Sequence, residues 1–231
     1  MLPNLIPEVQ GNKDIESNPT GIKGADKMEG KIVYFEEGGP DNTEAVFKLV
    51  QERLENLEIK KIVIASTTGA TARKAMDFFG DKGVKLVVVP HQFDFYREKN
   101  AFPEELVRAL RASGHEVHFG TMLFHTDDFY GSKNATAMAN LLRCFCQGAK
   151  VCFEIVLMVT DAGLVATGES VMAIAGTAWG SDTAMVMQAA STQHLRRLRV
   201  NEIICKSLNP LNIDELRERM AHKVETVEKE S

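Results

Sequence analysis

Residues 61–79 read KIVIASTTGATARKAMDFF, and this stretch decides the fold. Lys61–Ala65 is a short run that is apolar after its lysine, which is typical of a strand covered on both faces. Helical spacing begins at Ala70 and continues to Phe79. The hydroxyl-rich segment Ser66–Thr71 lies where the strand ends and the helix begins. The stretch therefore predicts one strand–bend–helix unit.

The same unit occurs on both sides of this stretch. Ile32–Phe35 is an apolar segment followed by helical spacing over Asn42–Leu57, and Val84–Val89 is followed by Phe102–Ala112. Three successive alternations of strand and helix predict a parallel sheet with helices on its faces. The predicted fold class is therefore α/β, with a mostly parallel central sheet.

The second half of the chain predicts two more helices and several strands. Ala135–Gln147 and Lys150–Ala162 have helical character with Gly148 between them, and the second is apolar nearly all round, as in a buried helix. Strands are predicted at Glu116–Phe119, Val171–Ala175, Ala184–Gln188 and Ile203–Lys206. The pattern leaves the order of the late strands in the sheet open.

Three segments are predicted along the chain. Residues 1–30 are rich in Asn, Pro, Gly and Lys without periodicity, which indicates a leader or a strap lying on the domain. Residues 31–207 form the α/β domain, and residues 208–231 predict an amphipathic helix with an apolar stripe from Ile213 to Val227. Two roles stay open for this stripe, which are packing on its own sheet and forming a dimer seam.

The composition excludes several classes of protein. The 231 residues carry a net charge of −5, without the basic excess typical of nucleic-acid binders. No run approaches the roughly 18 apolar residues of a membrane span, and no secretory signal is visible. The four cysteines lack zinc-type pairing, so we expect free buried thiols and a cytoplasmic location. His125, Asp127 and Asp128 share a polar loop without a further ligand, so we expect a solvated loop and no metal.

The bend at residues 66–71 is a candidate anion site. Free backbone N–H groups and the positive end of the helix dipole point at such a bend. Gly69 would let a ligand approach the backbone. The alternative is that these side chains only cap the helix, and neither a Walker loop nor a dinucleotide fingerprint is present. The hydroxyls are those of Ser66, Thr67, Thr68 and Thr71.

A second glycine-rich segment, residues 174–184, follows a predicted strand. It would form another anion cradle, and the chain's one tryptophan, Trp179, would stack on a ring. The alternative is a tight turn between two strands, with Trp179 packed as a lid on the core. The candidate cradle residues are Gly176, Thr177, Gly180, Ser181 and Thr183.

Both segments follow predicted strands, so in a parallel sheet we expect them at the same edge. Ligands of open parallel sheets bind beyond the carboxyl ends of the strands, which is this edge. The turn containing Glu37 and Gly38 also follows a strand. His91, after the third strand, is positioned to contact a ligand or act as a base, or else to make a structural hydrogen bond. Glu154 and Asp161 share one helix face, either as a general acid and base or as caps for N–H groups of neighbouring loops.

Residues 66–72, Ser-Thr-Thr-Gly-Ala-Thr-Ala, resemble the effector phosphate loop of the pyruvate kinase C-terminal domain, where hydroxyl residues flank a glycine in the same order. Gly176–Gly180 with Trp179, Ser181 and Thr183 is similar to the same domain's glycine-rich effector loop, although it is shorter. The fuller resemblance, over residues 31–207, is to the stand-alone archaeal-type proteins of that superfamily.

This resemblance implies a three-layer α/β/α sandwich that binds a phosphorylated small molecule, and flavin mononucleotide (FMN) is the ligand associated with such stand-alone proteins. It does not imply pyruvate kinase activity, because that chemistry belongs to a separate (β/α)8 barrel of roughly 250 residues. Ala70 stands where pyruvate kinases often have a basic residue, which argues against a doubly phosphorylated effector. The implied phosphate contacts are Ser66, Thr67, Thr68, Gly69, Thr71, Gly176, Gly180 and Ser181.

Three function classes stay open. A binding protein needs only the two loops, an apolar slot and a ring contact such as Trp179 or Phe93. A flavin-dependent oxidoreductase or a phosphate-ester enzyme also needs His91 or Glu154 within about 3 Å of the reacting atom. A regulatory or scaffold protein would sense a sugar phosphate, or would act as a homo-oligomer through its C-terminal stripe.

Overall fold

The computed structural model describes residues 29–95 and 101–229. The chain divides into Met1–Gly30 and Lys31–Ser231, and the second unit contains the sheet. The leader or strap predicted for residues 1–30 falls almost wholly outside the described residues.

The described residues form one seven-stranded sheet in the order β1-β7-β6-β5-β2-β3-β4. The strand β6 runs antiparallel to β5 and β7, and the other neighbouring pairs are parallel. The mostly parallel sheet is confirmed. The strands are β1 Val33–Phe35, β2 Lys61–Ala65, β3 Lys85–Val89, β4 Glu116–Val117, β5 Ser170–Ala175, β6 Thr183–Gln188 and β7 Arg199–Ser207.

Helices cover both faces of this sheet. Ile62 and Ile64 of β2 pack into one apolar cluster with α1, α2 and α3, whereas Val63 between them packs into another cluster with α6. This alternation makes the three-layer α/β/α sandwich that the resemblance implied. The helices in the described residues are α1 Thr43–Leu54, α2 Ala70–Phe79, α3 Glu104–Ala112, α4 Asp127–Tyr130, α5 Asn134–Arg143, α6 Gln147–Asp161 and α7 Ile213–Lys229.

The boundary between α5 and α6 differs from the predicted one. Gly148 lies in the first turn of α6, and the interruption falls at residues 144–146. The thiol of Cys146 caps α6 by accepting the N–H of Ala149 at 3.3 Å. A Cβ at position 148 would overlap the side chain of Thr183. The glycine therefore marks a close contact with β6 and not a helix break.

The parallel directions of β1, β2, β3 and β5 bring their carboxyl ends to one edge of the sheet. The turn after β1, the bend after β2, the segment after β3 and the loop after β5 all begin at that edge. Among the described helices, none combines the length and the apolar character that crossing a bilayer requires. The four cysteines are free, but only Cys146, Cys152 and Cys205 are buried, whereas Cys144 is exposed, which differs from the expectation. Burial raises the pKa of Cys205 to about 12.

Candidate functional site

A cavity of about 720 Å³ opens at the carboxyl edge of the sheet. Its walls come from the start of α1, the bend after β2, the segments after β3 and β4, the loop after β5, helices α5 and α6, and the first turns of α7. Small-molecule sites have volumes of roughly 300–1,000 Å³ and are lined mainly by apolar groups with a few polar ones. The cavity therefore has the size of a metabolite or cofactor site.

The bend after β2 forms one wall of the cavity. The hydroxyl of Ser66 accepts the N–H of Ala72 at 3.1 Å, so this side chain caps α2 as the alternative interpretation holds. The first N–H groups of a helix have no acceptor within the helix, and the first two residues of α2 face this cavity. The bend residues that line it are Ser66, Thr67, Thr68, Ala70 and Thr71.

Gly69 is absent from that wall, which differs from its predicted role in ligand access. Its φ angle of 86° lies in the left-handed region. A Cβ at this position would lie 2.6 Å from Cδ2 of Leu106 and 3.1 Å from Cδ of Pro103. Backbone conformation and packing against α3 therefore require the glycine.

The glycine-rich loop after β5 contributes only part of its predicted residues. Gly176, Trp179 and Gly180 line the cavity, together with Ala178. The loop connects β5 to the antiparallel β6, as the alternative of a turn between two strands expects, but it spans residues 176–182 and places Trp179 at the cavity wall. The other candidates are buried in the protein and do not line the cavity: Thr177, Ser181 and Thr183.

Asp182, which sequence reasoning did not single out, explains why this loop turns its polar groups inward. Its Oδ2 accepts the N–H of Thr177 at 2.8 Å and that of Gly39 at 2.9 Å. Its Oδ1 accepts the hydroxyl of Thr183 at 2.7 Å. Burial raises the pKa of Asp182, and these hydrogen bonds oppose the rise. The acidic side chain therefore organises the loop and leaves Trp179 at the cavity.

Glu37 and Gly38 lie outside the main cavity. They line a smaller cleft that also contains Arg219. A Cβ on Gly38 would lie 2.5 Å from the hydroxyl oxygen of Thr177, so the glycine allows the turn to pack on the loop after β5. The exposed Phe93 is likewise absent from the cavity wall, which Phe95 reaches instead.

A buried ion pair on α6 forms another part of the wall. Nζ of Lys150 lies 2.5 Å from Oε2 of Glu154, and the two side chains are 1% and 3% exposed. Oε1 of Glu154 accepts the N–H of Phe124 at 2.8 Å, so Glu154 caps a neighbouring loop as the alternative interpretation holds. Oδ1 of Asp161 likewise accepts the N–H of Thr192 in another loop at 2.8 Å. Lys150 was missed, although a Lys and a Glu four residues apart in an apolar helix were a usable signal.

The two histidines that line the cavity are held neutral at pH 7. Burial lowers the pKa of His91, with Glu154 opposing the change. Burial, followed by the charge of Lys150, lowers the pKa of His125 to about 4. The ring centroid of Phe95 lies 4.9 Å from each imidazole. His125 thus lines the cavity while its side chain stays exposed to solvent, as predicted for this loop.

Asp127, which lies near His125 and was considered as a metal ligand, caps α5 instead. Its two carboxylate oxygens accept the N–H groups of Ala135 at 2.9 Å and Thr136 at 3.1 Å. Within residues 29–95 and 101–229, no group of three or more metal-ligating side chains is assembled.

The cavity wall is cationic although the whole chain is anionic. Among the described lining residues, Glu154 is the one carboxylate. The net charge of the chain is −5. This local excess of positive charge favours an anionic ligand. The cationic side chains that line the cavity are Lys74, Arg143, Lys150 and Arg217.

Comparison with known proteins identifies the domain. The family model for the pyruvate kinase alpha/beta domain matches residues 44–187, more than half of the chain. The chain belongs to this family. The span that matches the pyruvate kinase alpha/beta domain contains the bend after β2, the Lys150–Glu154 pair and the loop after β5, whereas β1, β7 and α7 lie outside it.

Two solved structures are similar to this chain. A pyruvate kinase from Cryptosporidium parvum shares 14% identity over 64% of this chain and 23% of its own, with a TM-score of 0.36. A Cryptosporidium parvum pyruvate kinase in complex with ADP shares 15% identity over 64% of this chain and 24% of its own, with a TM-score of 0.35. The matched region is thus less than a quarter of the length of those enzymes.

Proposed function

We propose that this member of the pyruvate kinase alpha/beta domain family binds a phosphorylated small molecule, with the phosphate at the start of α2. The observation that carries the proposal is a cavity that joins a helix N-terminus and threonine hydroxyls to a wall with four cationic side chains and one carboxylate. A helix N-terminus attracts anions through its free N–H groups and its dipole. The cationic side chains add an electrostatic attraction that acts on an anionic ligand and not on a neutral one.

The proposed ligand is FMN, and the residues present fit it. The cavity volume of about 720 Å³ is in the range of cofactor sites. Trp179 and Phe95 offer aromatic surface at the wall, and the neutral His91 and His125 offer hydrogen-bonding groups for a polar ring. When bound, FMN would supply hydride and electron transfer. The protein would hold the phosphate at Thr67, Thr68, Ala70 and Thr71 and keep the ring in the cavity.

This proposal is one of binding. The carboxylate of Glu154 is occupied by Lys150 and by the N–H of Phe124, which fits a structural role better than proton transfer. His91 remains a candidate base, because it lies at the wall and its imidazole is neutral. The cytoplasmic location stays a prediction, which the three buried thiols fit.

The test is a ligand panel on the purified full chain, with FMN, riboflavin, a sugar phosphate and inorganic phosphate. Binding is measured by flavin fluorescence and by the shift in melting temperature. We expect FMN to bind at least about tenfold more tightly than riboflavin, since a charge-assisted phosphate contact contributes roughly 1.5–3 kcal/mol. Equal affinity for the two flavins would place the phosphate away from α2. Binding of sugar phosphates without FMN would instead favour an effector-sensing domain.

A charge placed at the bend sharpens this test. Thr68 is exposed, lines the cavity and precedes α2, so Thr68→Asp would compete with the phosphate of the ligand. A carboxylate near a helix N-terminus stabilises the helix by about 0.3–1 kcal/mol, so folding should not suffer. The matched control is Thr121→Asp, at an exposed position outside the cavity wall. Undiminished FMN affinity in Thr68→Asp would contradict the proposed phosphate position.

A further inference from the structure

The Lys150–Glu154 pair organises the segment that follows β4. Glu154 accepts the backbone N–H of Phe124, and Nζ of Lys150 lies 5.3 Å from the centroid of the Phe124 ring. The same Nζ lies 3.1 Å from Nε2 of His125. Both partners of the pair are buried, so their positions are set by α6. One buried ion pair therefore holds the backbone, a ring and an imidazole of this segment.

The contact with Lys150 determines which nitrogen of His125 carries the proton. An ammonium group has three donors and no acceptor, so Nε2 of His125 must accept. In a neutral imidazole the other nitrogen then carries the hydrogen. His125 consequently has Nδ1–H as its remaining donor, and the residue lies at the cavity wall.

The charged and titratable groups around His125 keep it in this form. Lys150 and Glu154 act on it from α6, Arg143 from the end of α5, and His91 from the segment after β3. Burial and Lys150 lower the pKa of His125 to about 4, and Glu154 only partly opposes them. The imidazole therefore keeps one state, and one donor, across the physiological pH range.

We infer that Lys150 and Glu154 are positioning residues that present Nδ1–H of His125 to a carbonyl oxygen on the ring of the ligand. This inference rests on the proposed function, because it concerns the ligand whose phosphate binds at α2. It narrows the ligand class to phosphorylated heteroaromatic compounds with ring carbonyls, a class that contains FMN. A plain sugar phosphate has no such ring.

The protonation of His125 is measurable without any ligand. Nitrogen-15 NMR of the wild-type chain between pH 5.5 and 8 should show Nε2 of His125 unprotonated and Nδ1 protonated throughout. His115 is an internal reference of opposite tautomer, because its Nδ1 accepts the N–H of Leu86 at 3.3 Å. In Lys150→Met/Glu154→Gln, the pKa of His125 should rise toward its ordinary value of 6.5. An Nε2–H tautomer in the wild type would overturn the inference.

Binding of FMN tests the other half of the inference. His125→Leu removes the donor, and we expect about tenfold weaker FMN binding and unchanged affinity for inorganic phosphate. In His125→Asn, the side-chain amide replaces the Nδ1 donor and should restore most of the affinity. The control is His118→Leu, at a half-buried histidine outside the cavity wall.

The outcomes separate the two proposals. FMN affinity that is equal in His125→Leu and in the wild type would overturn recognition by His125 and leave the phosphate site intact. A wild-type chain that binds neither FMN nor inorganic phosphate would overturn the proposed function and the ligand half of this inference with it. The NMR result would then still decide the state of the imidazole.

Discussion

The carboxylate of Asp182 accepts the backbone N–H of Gly39 at 2.9 Å across 143 positions of the chain. The same oxygen accepts the N–H of Thr177 at 2.8 Å. The turn after β1 and the loop after β5 are therefore bound to one side chain. That loop also contains Trp179, which lines the cavity. The hydrogen bonds of Asp182 therefore help to fix the position of Trp179 in the cavity wall.

Removing this acceptor should destabilise the fold, and replacing it with an amide should not. Asp182→Ala leaves two buried N–H groups unpaired at about 1–3 kcal/mol each, so we expect a loss of roughly 2–6 kcal/mol in the free energy of unfolding. Asp182→Asn keeps an oxygen for both donors, and its NH₂ can donate to the hydroxyl of Thr183. Denaturant unfolding at pH 7 measures both variants. Equal losses would show that the hydrogen bonds are not the cause.

Asp182 should also make stability depend on pH. Burial raises its folded-state pKa above the ordinary value of 3.8, so the folded protein favours the protonated form. Its contribution to stability is therefore fully present below pH 3.8 and is lost as the pH rises through the folded-state pKa. The side chain of Asp182→Asn does not titrate. The unfolding free energy of the variant, relative to that of the wild type, should therefore increase as the pH rises. A difference that stays constant with pH would contradict this assignment.

Gly69 should be intolerant of a side chain for two separable reasons. A left-handed φ costs a non-glycine residue roughly 1–2 kcal/mol, and overpacking typically costs a further 1–3 kcal/mol. Gly83 provides the control, because its φ of 70° is also left-handed but no atom lies within 4 Å of a Cβ there. We expect Gly69→Ala to lose more unfolding free energy than Gly83→Ala in urea. Equal losses would mean that the side chain of Leu106 can move away from the added Cβ without a loss in unfolding free energy.

The regular part of the fold could be predicted because its apolar pattern is local. The bounds of β2 and α2 coincide with the predicted Lys61–Ala65 and Ala70–Phe79. The start of β7 escaped prediction because Arg199, Val200 and Asn201 are exposed, and a single valine between two polar residues makes no apolar run. Gly148 was misread because its partner, Thr183, is distant in sequence.

The candidate site was predictable only where backbone geometry decides it. The bend after β2 lies at the cavity because any parallel strand ends at that edge. The inward direction of Thr177 and Thr183 depends on Asp182, and the place of His125 depends on Lys150. Those are contacts between elements, and no spacing in the sequence encodes them.

Replacing Lys150 alone should destabilise the fold, because it leaves the buried charge of Glu154 unpaired. Lys150→Met leaves the Glu154 carboxylate buried without its cation, and we expect a loss of about 3–5 kcal/mol in unfolding free energy. Lys150→Met/Glu154→Gln removes both charges and keeps an acceptor for the N–H of Phe124, so it should lose clearly less. Chemical denaturation compares the two.

The partly exposed pair of Arg53 and Glu202, at 2.7 Å, is the control for that experiment. Because water and salt screen such a pair, Arg53→Met should cost only about 0–1 kcal/mol. A single Lys150 variant as stable as the double one would mean that the carboxylate is neutralised in another way.

Helix α7 should close one side of the cavity although it lies outside the family match. Its buried Leu216 lines the cavity, whereas the two apolar clusters around the sheet contain none of residues 213–221, the part of α7 whose side chains the structure describes. Leu216→Asp should therefore release the helix and cost about 1.5–3 kcal/mol without unfolding the sheet. Since Trp179 is the chain's one tryptophan and lines the same cavity, its fluorescence should move to longer wavelength. Ala221→Asp, at an exposed position of α7, is the control and should leave the emission unchanged. Unchanged emission in Leu216→Asp as well would mean that α7 does not shield the cavity.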